Sequence, residues 1–434
     1  MKLIKVGLGV VVFILLSACQ GQAIAIPTAT AAMATRAQPA PTATAASSPT
    51  PSVTVVPTNM PTLESQVLQN IVFSPCIEIS QSIPQNMKLP WNLLFTQDTS
   101  FYIFTPENDS KVHVPNLEGI NQDIRDYYVS PDGKWLAYQD FASSKMFVEP
   151  ADTLVTNQNK DRIIWKNGQR FWLRRWVDDH TVLLIYWKSE TAPFSSSLFL
   201  NPFTGEKQEF LLEDLPNFKT FKTGGALIPT FYSRDGELVP DPTMKKVVYP
   251  ENWDEASYST LFDLESKRPL TRLKYYVNMF NDPLWSQDGN DFIIESSKGQ
   301  GMEWFLVTRD GAVRQITRFS DFLPPRYSYT FYKTSRSGDG RYFVFQIIFE
   351  KPDRTTKYIL LDLKSKTLDG YCIKSFPVGR RQSLVWSPDS KYLILSNDDG
   401  TDSTGDLILV DAENKKAYQI LKEAVRVVGW VVKP

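Results

Sequence analysis

One short unit, written four times, limits what this chain can fold into more than any other feature. Tyr128-Val129-Ser130-Pro131-Asp132-Gly133-Lys134-Trp135-Leu136-Ala137-Tyr138 is the first clear copy. Leu284-Trp285-Ser286-Gln287-Asp288-Gly289 leading to Phe292-Ile293-Ile294 is the second, and Ser337-Gly338-Asp339-Gly340-Arg341-Tyr342-Phe343-Val344-Phe345 the third. The fourth is Val385-Trp386-Ser387-Pro388-Asp389-Ser390-Lys391-Tyr392-Leu393-Ile394-Leu395. Each reads as strand, tight turn, strand: Pro presets a turn φ, Asp bonds nearby backbone, and Gly accepts a positive φ. A third strand, a polar turn and a fourth strand follow, as in Leu407-Ile408-Leu409-Val410-Asp411, Ala412-Glu413-Asn414-Lys415 and Tyr418-Gln419-Ile420-Leu421. The period is about 45 to 55 residues with four strands each, which is the spacing of propeller blades. Two weaker units fill the gap, one through Trp176-Val177-Asp178-Asp179, the other from Thr230-Phe231-Tyr232 to Lys246-Val247-Val248-Tyr249 across a longer turn.

These units predict an all-β β-propeller over residues 91–434, with innermost strands near 127, 174, 230, 284, 334, 384 and 428. That count gives seven four-stranded blades; six or eight stay open because 215–260 is poorly patterned. The ends predict how the ring closes. Ser100-Phe101-Tyr102-Ile103-Phe104-Thr105-Pro106-Glu107-Asn108 matches a third strand and its turn, and Trp91-Asn92-Leu93-Leu94-Phe95 a second strand. Val425-Arg426-Val427-Val428-Gly429-Trp430-Val431 reads as an innermost strand with no blade after it. Three strands from the start and one from the end would make one blade and hide the edges of an open sheet.

The W-S-P-D-G-K-x-L pattern resembles the WD40-like repeat of TolB-type propellers, also found in the propellers of prolyl-oligopeptidase relatives. The resemblance spans roughly residues 90 to 432 and is strong in three or four copies. It implies the propeller fold. Prolyl-oligopeptidase relatives attach a hydrolase, but this sequence has no G-x-S-x-G nucleophile elbow. TolB-type proteins partner envelope lipoproteins; this chain departs from them by lacking an obvious N-terminal α/β domain, so their partners are not carried over.

Residues 1–18 read as an export signal: Lys2 and Lys5, an apolar run from Val6 to Leu16, then Leu16-Ser17-Ala18-Cys19. The run is shorter than the roughly 20 residues of a membrane-spanning helix. A cysteine directly after Leu-Ser-Ala resembles the bacterial lipobox, which implies lipid on Cys19 and an anchor at the outer face of the cell membrane, or at an outer membrane where one exists. Residues 19–63 then form a Thr/Pro/Ala-rich tether with Arg36 as its one charge, expected to stay disordered. Residues 64–90 are expected to pack on the propeller. After Cys19 only Cys76 and Cys372 remain; export permits a disulfide between them, and two buried thiols are the alternative.

The sequence has 47 Lys+Arg against 48 Asp+Glu, a net charge of -1 that gives no reason to expect nucleic acid. Only His113 and His180 are present, too few for a His-rich metal site. No catalytic set, metal site or cofactor is assigned. Candidate ligand- or partner-binding residues are Arg125, Arg170, Phe171, Tyr276, Arg326, Tyr327, Arg381 and Arg426. They lie where loops lead into innermost strands; arginine and aromatics anchor binding surfaces, and guanidinium groups suit carboxylate or phosphate. Charged strand ends that never converge are the plainer reading. The expected function is a non-enzymatic binding or scaffold module for a protein, peptide or envelope polymer. The alternative is a propeller hydrolase or lyase with its site in the central funnel.

Overall fold

The repeated turn is stapled by its own side chains. Ser130 Oγ donates to Asp132 Oδ1 at 2.6 Å and accepts from Trp135 N at 3.0 Å, while Asp132 Oδ1 accepts from Lys134 N at 3.1 Å. The backbone closes beneath them, Gly133 N donating to Ser130 O and Ser130 N to Trp135 O. Ser337 with Asp339 and Ser387 with Asp389 repeat the arrangement, both at 2.7 Å. Gly133 has φ +75, and a Cβ there would come within 3.0 Å of Trp430 O. Glycine therefore serves both the turn and its close neighbour.

In the computed structural model the described residues run from 76 to 433. They exclude 81, 85–86, 98–99, 118–126, 141–142, 157–161, 167–170, 188–193, 212–221, 224–225, 228–238, 252–257, 275–282, 299–300, 323–327, 352–354, 365–369, 374–380, 399–404 and 424. The expected leader, Cys19 and the tether lie outside them, as does the part of the 64–90 segment before Cys76. All described residues belong to one unit, Met60–Pro434.

The chain forms seven four-stranded antiparallel blades in a ring. The first joins Arg426–Val432 to Trp91–Gln97, Ser100–Thr105 and Ser110–His113, which is the closure expected from the sequence. The other innermost strands, in ring order, are Tyr127–Val129, Phe171–Trp176, Val239–Pro240, Leu284–Trp285, Ser328–Arg336 and Arg381–Trp386. At the seam no turn joins the innermost strand to its neighbour; instead Val432 N donates to Gly133 O of the second blade at 3.0 Å. Glu107 holds both ends there, accepting from Leu89 N at 2.6 Å and pairing with Lys433 Nζ at 2.5 Å.

The hydrophobic core lies between blades. Trp304 of the fifth blade packs among Phe331, Phe343 and Phe345 of the sixth; Leu93, Phe95 and Trp430 of the first meet Ile394, Leu407 and Leu409 of the seventh. The repeat's tryptophan clips neighbouring blades together. The indole N–H of Trp176 donates to Tyr128 O, that of Trp285 to Val239 O, and that of Trp430 to Val385 O, at 2.8, 3.0 and 3.2 Å. Each acceptor belongs to the innermost strand of the preceding blade. Arg336 takes the same place in the sixth blade, donating to Leu284 O at 3.4 Å and pairing with Asp291 at 2.5 Å.

The fourth blade corrects the expected map. Its innermost described strand is Val239–Pro240, paired with Val248 and Val247; the expected stretch at 230–232 lies outside the described residues. The turn is no longer than the others. Asp241 stands in the serine position and its Oδ1 accepts from Lys245 N and Lys246 N at 2.7 and 2.8 Å. Met244 stands in the glycine position at φ +55.

The described residues between 76 and 90 pack along the outer rim of the ring. Cys76 is joined to Cys372 in a disulfide with Cα atoms 4.3 Å apart and a sequence separation of 296. Ile77 bridges Ile373 in parallel on the sixth blade, and Ile79–Ser80 adds a parallel fifth strand to the seventh. Ile83, Met87 and Leu89 then reach the core between seventh and first blades. The strap covers the distance of one blade that separates Cys372 from the seam.

Candidate functional site

Seven innermost strands wall the central channel, and neighbours touch in ring order from the fifth blade through the seventh and first to the third. Of the residues expected at its mouth, Arg125, Arg170, Tyr276, Arg326 and Tyr327 lie outside the described residues. Phe171 is 1% exposed and packs on Trp165 and Tyr186, so it belongs to the core between second and third blades. Arg381 begins the seventh innermost strand, directly opposite Asp398. Arg426 begins the first, opposite Thr96, and is exposed. Its charge reaches Tyr127 on the next innermost strand. Burial pushes that phenol up to about 12, and Arg426 pulls in the other direction. Arg381, Arg426 and Tyr127 thus start three successive strands at one end of the channel.

Three basic residues that the sequence reading passed over lie further along the same walls. Arg174 and Arg175 stand on the third innermost strand and Lys333 on the sixth. The ladder pairs Arg175 with Leu183 and Leu173 with Leu184, leaving Arg174 as the extra residue of a bulge. It pairs Tyr332 with Gln346 and Thr334 with Phe345, which makes Lys333 another. Bulges bend a strand and re-aim its side chains. Arg174 sits 5.9 Å from the Trp172 ring centroid and Lys333 5.6 Å from that of Tyr332, both within cation–π range. Altogether the described residues of the seven innermost strands include six basic ones (Arg174, Arg175, Lys333, Arg336, Arg381, Arg426) and no Asp, Glu, His or Cys.

The buried acids work elsewhere. Glu149, on the third strand of its blade, pairs with Arg162 at 2.5 Å and accepts from Tyr138 OH. Burial, then the Glu149 charge, drive the Tyr138 phenol far above its ordinary range, so it cannot act as a base near neutrality. Glu303 accepts from Thr317 Oγ1, Ser320 N and Ser320 Oγ at 2.7, 2.7 and 2.8 Å, which fixes the single helical turn Phe319–Phe322. The recurrent Ser–Asp pairs are spent on turns. His113 lies against Tyr102 and His180 against Phe203, in different blades. Among the described residues no group of three His, Cys, Asp or Glu could hold a metal.

No family model and no curated protein matches this sequence. Solved structures align with it at low identity. TolB from Acinetobacter baumannii aligns with 12% identity over 79% of this chain and 83% of its own, TM-score 0.39. An oligogalacturonate lyase in complex with manganese aligns with 14% identity over 79% and 86%, TM-score 0.44. A quinonprotein alcohol dehydrogenase-like protein from Bacteroides thetaiotaomicron aligns with 10% identity over 80% and 79%, TM-score 0.48.

Proposed function

We propose that this protein is a membrane-anchored, extracytoplasmic binding or scaffold module, without catalytic activity, that engages a protein, peptide or envelope polymer through the propeller channel. The observation that carries the reading is the make-up of the innermost strands: they carry basic and aromatic residues on several blades, and among the described residues of those strands there is none of the carboxylates, imidazoles or thiols that proton transfer or covalent catalysis draws on. Arginine and aromatics are the usual anchors of binding surfaces. Export is supported by Leu16-Ser17-Ala18-Cys19 and by the Cys76–Cys372 disulfide, since such bonds persist in oxidising compartments.

The test uses full-length protein in detergent against isolated cell-envelope fractions. Wild type should sediment with the envelope fraction. An Arg426→Ala, Lys333→Ala variant with unchanged melting should not. Equal sedimentation of both, or turnover of an envelope component by wild type alone, refutes the reading. Loss of acylation and of membrane partition in Cys19→Ala checks the anchor separately.

A further inference from the structure

We propose that the outer edge of the second blade, Ile163–Lys166, is a docking strand for a partner protein, which adds beside it an extended segment of alternating apolar and acidic residues. This rim site goes beyond the channel reading and does not depend on it.

The exposed large apolar residues among the described ones are Val112, Ile164 and Val313, at 42, 52 and 43%. Two of them face one gap. Val112 lies directly opposite Ile103, and Ile164 directly opposite Phe147; directly opposed side chains share a face of their sheet. Ile103 and Phe147 belong to the cluster that packs the first blade on the second. Val112 and Ile164 therefore continue that core outwards, from the two sides of the rim between these blades, into solvent. At the two preceding gaps in ring order the chain's own strap fills the corresponding place. Ile77 and Ile79 pack between sixth and seventh blades, and Ile83, Met87 and Leu89 between seventh and first. There the strap also pairs through its backbone with the outer strands Gly370–Ile373 and Lys416–Leu421. Ile163–Lys166 ends its sheet, with no strand beyond it among the described residues. Its outward N–H and C=O groups are a template for one more strand.

Charge names the occupant. Lys166 stands directly opposite Lys145, two residues along from the Ile164 and Phe147 pair and on the same face. Neither lysine is in an ion pair with another described residue, and like charges directly opposite each other destabilise a sheet. On the inner side Asp140 stands opposite Lys145 and accepts from Ser143 Oγ. At the other end Arg162 lies 5.5 Å from the Phe147 ring centroid and pairs with Glu149 at 2.5 Å, so those two charges satisfy each other. An added strand with an apolar residue beside Ile164 places its residue two further on beside Lys166. A carboxylate there meets two lysines, whereas a basic residue would make a third like charge. The partner segment therefore reads apolar-x-acid and is held by backbone bonds, the mode of β-strand addition. A second copy of this chain joined edge to edge would bring lysines to lysines, which disfavours it as the occupant.

Isothermal titration of the full-length protein in detergent tests this with three capped peptides. They are Thr-Val-Thr-Glu-Thr-Val-Thr, the same peptide with Lys for Glu, and the first N-methylated at alternate amides so that it cannot pair along an edge. The acidic peptide should bind, slow hydrogen exchange at Ile163–Lys166 and weaken with raised salt. The lysine peptide should bind about tenfold more weakly, and the methylated one not at all. Ile164→Thr, and Lys145→Gln with Lys166→Gln, should each cost about fivefold in affinity with unchanged melting. Equal binding of the methylated peptide overturns strand addition, and equal binding of the lysine peptide overturns the acidic partner. An acidic peptide that fails to bind, or that protects amides elsewhere, overturns the site. Self-association of the protein without peptide, abolished by Ile164→Thr, would make a second copy the occupant and overturn the proposal.

Discussion

Replacing tryptophan by phenylalanine at successive blades isolates the indole clip. Trp430 is 2% exposed and its N–H reaches Val385 O at 3.2 Å. Phenylalanine would keep most of the packing but leave that carbonyl without its donor. Losing a buried hydrogen bond this way costs about 1–3 kcal/mol, and the smaller ring adds about 1–2 kcal/mol of cavity. Trp386 supplies the control. Its ring stacks on Tyr342 at 5.8 Å, but its buried N–H has no acceptor, so only the cavity portion applies. Trp430→Phe should therefore destabilise more than Trp386→Phe by about 1–3 kcal/mol, roughly 2–6 °C in melting for a domain this large. Trp176→Phe and Trp285→Phe should follow Trp430. Thermal unfolding by circular dichroism, which does not depend on the indole replaced, reads the difference. Equal losses at Trp430 and Trp386 would show that ring packing alone holds the blades and that the N–H contributes nothing.

Three further outcomes are expected. Under denaturing, non-reducing conditions Cys76 and Cys372 should resist alkylation, and Cys372→Ser should lower stability by up to about 5 kcal/mol from loop-closure entropy; two reactive thiols would refute the bond. The Lys246 ammonium, bonded to Asp263, holds that carboxyl well below the usual carboxylate range, so its stabilisation is present above the unfolded value near 4 and fades as pH falls towards the lowered one. Asp263→Asn should accordingly cost about 1–2 kcal/mol at pH 7, with the gap from wild type closing in acid; a gap independent of pH would refute the ion pair. Glu107→Ala should speed hydrogen exchange at Leu89 N, which donates to Glu107, without altering exchange in the fifth blade.

The sequence announces the fold wherever the turn chemistry keeps its usual residues. Ser130, Asp132 and Gly133 each perform a separate hydrogen-bonding or conformational task, and the same three types mark the fifth and sixth blades. The fourth blade hides because Asp241 does the serine's work with a carboxylate and Met244 accepts the positive φ that glycine usually takes. A search for serine and glycine passes over it and settles on the aromatic run at 230–232. The channel is harder still. Arg174 and Lys333 read as residues of ordinary strands, yet each is the extra residue of a bulge, and a bulge is a property of two paired strands, not of one. Phe171 shows the opposite error, since an aromatic at a strand's first residue looks like mouth lining, yet the neighbouring blade covers it.

The rim strap also decides where a mechanical load enters the ring. Tension applied upstream of Cys76 passes through the sulfur–sulfur bond to Cys372 and into the outer strand of the sixth blade. The loop from 77 to 371, which includes the Trp91–Gln97 strand, is short-circuited by that covalent link. The seam, where Trp91–Gln97 meets Arg426–Val432 with no covalent link between the two strands, is therefore spared the pull. Reduction would redirect the same force along the strap, peeling Ile79–Ser80 from the seventh blade and then loading the seam strand itself. The joint that closes the ring is kept out of the line of tension for as long as the disulfide stays oxidised.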